Sequence, residues 1–174
     1  MSVDVFYAHF QGKGALLRAL NERFVEKVVT TIDDAIPTGV WANARARDIL
    51  DLAVRSILDV VFEHEGLLRA FLAHGATDRS LAEGLKKIGS RLAERLGRAL
   101  AETVDGRVVE PRQLALALVL AVGVAHHYVL VGDSWSGEAF SRDELAHETV
   151  RAISAYLALD TVTAEILAVT ADGR

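Results

Sequence analysis

Hydrophobic residues fall at helical spacing through almost the whole chain. Near the start, Val3, Phe6, Tyr7 and Phe10 recur at i, i+3, i+4 and i+7, the stripe of an amphipathic helix. Gln11-Gly12-Lys13-Gly14 interrupts it, with Gly12 an acceptable N-cap. A long helix then runs from Lys13 to about Ala35, with Leu17, Leu20, Phe24 and Val28 in one stripe and Leu16 and Val25 beside it. Ile36-Pro37-Thr38-Gly39 ends it, and Trp41 falls in the connection. A second helix, from about Ala44 to Glu63, is apolar nearly all the way round, from Ile49 and Leu50 to Val61 and Phe62. That pattern marks an element buried on most sides.

The same periodicity continues to the end. Gly66 to about His74 reads as a short helix closed by Gly75. Ser80 with Glu83 has the spacing of a capping box and opens a helix carrying Leu81, Leu85, Ile88, Leu92 and Leu96 to about Val104, before Asp105-Gly106. Pro111 takes a first-turn position, where its missing N–H costs nothing, in a helix reaching Val131. After the loop from Gly132 to Gly137, a second capping box, Ser141 with Glu144, opens a helix to about Leu157 whose face is Leu145, Thr149, Ala152, Ile153 and Tyr156. Thr163 to Val169 reads as a short terminal helix. The two prolines, Pro37 and Pro111, fall between periodic runs, and no strand-like alternation appears. The fold class expected is all-α.

Composition narrows the picture. A chain of 174 residues with 51% hydrophobic and 25% charged residues can bury a sizeable core and is not globally disordered. A net charge of -5 argues against nucleic-acid binding over the whole surface. The absence of Cys excludes disulfides, thiolate metal sites and Cys nucleophiles. No basic stretch followed by an apolar run opens the chain, so no signal peptide is expected. The longest apolar stretch, Leu114 to Val131, is broken by Gly123, His126 and His127 and reads as a buried helix. These features predict a cytoplasmic protein with no membrane partner.

One stretch carries a recognisable motif. Ser2, Phe6-Tyr7, His9-Phe10, Lys13 and Leu16 match, in order and spacing, the junction in TetR-family transcriptional regulators between the DNA-recognition helix and the regulatory domain. The chain resembles that family here. The resemblance implies a TetR-like helical regulatory domain with a remnant of the helix-turn-helix at its N-terminus. Residues 1–12 would be the remnant and 13–174 the ligand-binding and dimerisation domain. Tyr7 and His9 are placed to donate to phosphates, and Lys13 at a helix N-terminus sits where the dipole already favours an anion. In the family two helices precede this point, whereas Met1 falls essentially inside the reading helix. Operator DNA is therefore an expected partner only when those helices are present, because three phosphate contacts are too few for a specific complex.

Two further expectations concern the body. The small and branched residues from Ala115 to Ala125, with the helix from Ser141, suit half of a four-helix homodimer interface over Pro111–Val131 and Ser141–Leu157, including Ala152 and Ile153. An apolar cavity between the second, third, fourth and fifth body helices would take a small-molecule effector. His126, His127 and Tyr128 would supply its polar groups, and Phe62, Phe71, His74 and Tyr128 lie on elements that line the pocket in TetR-like domains.

Other chemistries fit less well. His126 and His127 are adjacent and face different directions, and His64, between Glu63 and Glu65, has no partner one turn on, so no metal site is expected. Ser134 and Ser136 near Asp133 form no nucleophile elbow, and neither a phosphate loop nor HExxH occurs, so no catalytic residues and no cofactor are assigned. The function expected is a ligand-responsive transcriptional regulator, usually a repressor. The alternative is a dimeric helical small-molecule-binding protein that does not bind DNA.

Overall fold

The computed structural model describes residues 12–75, 79–104, 106, 108–132 and 137–159. They form six α-helices: α1 Lys13–Ala35, α2 Ala46–Glu63, α3 Glu65–Gly75, α4 Arg79–Glu102, α5 Pro111–Val131 and α6 Arg142–Tyr156. No strand occurs among them, so the fold is all-α. The expected helices at 2–10 and 163–169, and the loop centre with Asp133, Ser134 and Ser136, lie outside the described residues.

α2 is the centre of the bundle. Ala46, Ile49, Leu50, Ala53, Val54, Leu58 and Val61 are buried along it, and every other helix packs against it. Each of the larger side chains, Ile49, Leu50, Val54, Leu58 and Val61, stabilises the fold by roughly 1.5–3 kcal/mol on burial. α1 lies mainly on α4, with Asn21, Phe24, Val25, Val28 and Ile32 buried. Leu17 and Leu20, expected in that stripe, are only half-buried.

Two features fix α1 on α4. Near its start, a Cβ on Gly84 would sit 2.8 Å from Asn21 Nδ2 and Val25 Cγ2, so only glycine permits this approach. Asn21 Nδ2 donates to Ser80 O at 3.2 Å in the same place. Farther along, Arg91 grips Asp33 with two bonds of 2.7 and 2.8 Å, and Arg95 adds a third at 2.7 Å. These guanidinium contacts, Arg91 foremost, hold the Asp33 carboxyl at about 2.

Helix ends follow local chemistry with one exception. The box at Ser141 is complete: Ser141 Oγ accepts from Glu144 N at 3.2 Å, and Glu144 Oε2 accepts from Ser141 N at 2.7 Å. Ser80 and Glu83 do not make the expected N-terminus. α4 is already helical at Arg79, so Ser80 lies inside it, and Glu83 instead pairs with Arg79 one turn back at 3.1 Å. At the far end of α5, Arg69 of α3 donates to the carbonyls of Val129 and Leu130, placing a cation at a helix C-terminus.

Candidate functional site

A cavity of about 610 Å³ lies between α1, α2, α4 and α5, with Leu68 of α3 closing one side. Its size is that of a small-molecule site. Phe24, Val28 and Ile32 of α1 form one wall, and Ala53, Ile57, Val60 and Val61 of α2 form the floor. The cavity opens between α4 and α5. Leu85 and Val119 stand at the opening, 46% and 65% exposed, with Lys86, Gly89, Ser90, Ala115 and Gly123 also exposed there.

The polar groups on this wall are few, and they differ in what they offer. Thr31 Oγ1 donates to Lys27 O at 3.0 Å and Ser56 Oγ to Leu52 O at 2.8 Å, each to its own helix. Their protons are committed, and only acceptor lone pairs face the space. His126 is half-buried, and desolvation lowers its pKa from the ordinary 6.5. At neutral pH it is an uncharged imidazole with one donor and one acceptor. Lys86 is the one charged side chain on the wall among the described residues.

Of the five expected ligand-site side chains that are described, only His126 reaches this cavity. Phe71 is buried against Phe24, ring centroids 5.9 Å apart, and belongs to the core. Phe62 and Tyr128 turn to the other side of the bundle. Their ring centroids are 5.9 Å apart, and the Arg142 guanidinium stands 4.8 Å from the Phe62 centroid. Tyr128 Oη donates to Phe140 O at 2.5 Å and accepts from Phe140 N at 3.0 Å, so it fastens the chain entering α6. His127 is exposed beside Tyr128, Leu120 and Phe140 in a second, shallower concavity of about 400 Å³ on the outer side of α5. His74 is on α3, with its side chain outside the described set. Adjacent positions on a helix point about 100° apart, which is why His126 and His127 part company.

Neither the α1 wall nor Lys86 follows from the hydrophobic pattern. Periodicity says that a face is buried but not against what. One signal was available in Gly89. Glycine in mid-helix costs about 1 kcal/mol against Ala and so has a positional reason. At Gly89 a Cβ would meet nothing within 4 Å, and the residue borders the cavity.

Among the DNA-contact candidates, Tyr7 and His9 lie outside the described residues. Lys13 is the first residue of α1, behind Gly12, whose φ of 94° suits glycine. No acidic residue occupies that first turn. Among the described residues no group of three or more His, Asp or Glu converges as a metal site would require. α5 is the one described helix long and apolar enough to cross a membrane by length and composition. Its buried face, Leu114, Ala117, Leu118, Ala121, Ala125 and Val129, packs into the bundle. No family model matches the chain, and neither does any curated protein or solved structure.

Proposed function

We propose that the protein is a ligand-responsive transcriptional regulator of the TetR type, acting as a repressor in the cytoplasm. The observation that carries this reading is that α1 is at once a wall of the apolar cavity and the direct continuation of the stretch bearing the recognition-helix motif. A molecule touching Phe24, Val28 and Ile32 touches the element that would hold a DNA-reading head. It shifts the equilibrium between two placements of that head by its difference in affinity for them.

The outer face of α5 supports a homodimer. Leu116, Val119, Leu120, Val124, Leu130 and Val131 are each between 37% and 65% exposed, at helical spacing along one side. A continuous apolar stripe of this kind marks an interaction surface. The exposed side of α6, with Ala152 and Tyr156, extends it. Pairing of the two helices with their copies would make a four-helix interface, which needs roughly 1,200–2,000 Å² for a stable dimer.

DNA binding requires a complete helix-turn-helix ahead of α1. The test is to translate the coding DNA upstream of Met1 in frame, express the longer protein, and measure binding to DNA from the neighbouring promoter by fluorescence anisotropy. Selective binding is expected, with Lys13→Ala weakening it on all sequences alike. A longer protein that forms the helices and binds no promoter DNA would leave the DNA-free, dimeric ligand-binding protein as the better reading.

A further inference from the structure

The charged and imidazole groups of the cavity, Lys86 and His126, share one end. A Cβ on Gly97 would sit 3.3 Å from Leu114 Cδ2, which places residues 97 and 114 at one level of the α4–α5 pair. The two helices run antiparallel from there, walling the cavity over 85–93 and 115–126. Lys86 lies back along α4 from residue 97, and His126 forward along α5 from residue 114. At 1.5 Å per residue those paths are about 16 Å and about 18 Å. Lys86 and His126 therefore face the cavity at the same level. The opposite end, near Ile36, Ala53, Ala93 and Ala115, has no charged side chain among the described residues, and the Ser56 hydroxyl beside it donates to its own helix.

The charge balance at the polar end is one-sided. Lys86 is exposed and makes no ion pair with a described residue, and the nearest carboxylate on its helix, Glu83, is taken by Arg79. No carboxylate among the described residues lines the cavity. A cationic ligand would meet like charge there. A neutral one would leave the ammonium and the imidazole without a partner from the ligand.

We propose that the cavity takes a monoanionic amphiphile, an elongated apolar body of about 20 non-hydrogen atoms, at ~30 Å³ each, ending in a carboxylate held by Lys86 and His126. The carboxylate accepts from the Lys86 ammonium and from the one N–H of the imidazole. The body runs along the α1 wall toward Ala115 and lies bent, because α5 spans only about 16 Å from residue 126 to residue 115. Thr31 and Ser56 offer no protons to it, and Ser90 stands at the exposed opening, so the tail needs no polar groups. This rests on the regulator reading only in that the same ligand would be the effector.

The test uses the whole chain and the fluorescent fatty acid cis-parinarate, displaced by palmitate or by the matching alcohol, hexadecanol. Parinarate is expected to bind saturably, and palmitate to displace it better than the alcohol. Lys86→Gln should weaken the acid about fivefold, as an exposed ion pair allows, and leave the alcohol unchanged, while Lys86→Arg restores the acid. A Cβ at Gly89 meets nothing within 4 Å, so Gly89→Phe sets a ring on the cavity wall and should abolish binding of both. Equal binding of acid and alcohol, or indifference to Lys86→Gln, would overturn the anionic head while leaving the cavity as an effector site. No saturable binding of parinarate would overturn the ligand class. Promoter binding by the longer protein is read separately and is untouched by any of these results.

Discussion

Three side chains carry measurable consequences of their surroundings. His126 has a folded-state pKa below 6.5 because burial penalises the imidazolium. The unfolded chain therefore binds more protons as pH falls through 6.5, and stability declines with it, levelling off below the depressed pKa. Urea unfolding at pH 8 and at pH 5.5 should show a loss on acidification that shrinks in His126→Gln. Asp33 has the opposite sense: its contribution is full above the usual carboxylate range and fades only as pH approaches about 2. Ser154 Oγ is fully buried and has no hydrogen-bond partner among the described residues. Removing an orphaned hydroxyl recovers its desolvation cost, so Ser154→Ala should raise stability by up to about 1 kcal/mol in the same assay.

At the scale of elements, one substitution should have two signs on one helix. Gly→Ala in a helix interior gains up to about 1 kcal/mol in propensity. At Gly89, with nothing within 4 Å of the added Cβ, that gain should appear in full. At Gly84 the new methyl meets Asn21 and Val25 at 2.8 Å. Overpacking there costs about 1–3 kcal/mol and outweighs the propensity, so thermal midpoints should move in opposite directions. This contrast also locates what periodicity could tell. The six helices were legible because Leu, Ile and Val recur with a helical period and Pro111, Gly132 and the Ser141 box punctuate them. The Ser80–Glu83 pattern misled because the helix already runs through Arg79, which leaves Ser80 inside it. The cavity was half legible: His126 was on a face already read as polar within apolar, but the α1 wall and Lys86 depend on which helices meet.

For the whole molecule, the exposed stripe on α5 should decide the oligomeric state. Ala152 is exposed on the adjoining face of α6, and Ala152→Arg should give monomers by light scattering with the fold intact. Ile153, expected beside it at the interface, is 1% exposed and belongs to the protomer's own core. An unpaired guanidinium there should cost more than about 4 kcal/mol and unfold the chain, so it reports nothing on assembly. An unchanged dimer in Ala152→Arg would move the interface elsewhere.

The grip of Arg91 and Arg95 on Asp33 also makes α1 a lever. With Asp33 as pivot, Val28 on the cavity wall is about 7.5 Å away, and Lys13 at the tip is about 30 Å away along the axis. The mechanical ratio is about four, so a wedge that lifts α1 by 1 Å at Val28 swings its tip by about 4 Å. The steric seat at Gly84 is where such a swing would open. A chain without native cysteine takes labels cleanly. Spin labels at positions 14 and 98 should report a change of several ångströms when the cavity fills, and none when Gly89→Phe blocks it. A fixed distance on filling would mean that the ligand braces α1 instead of tilting it.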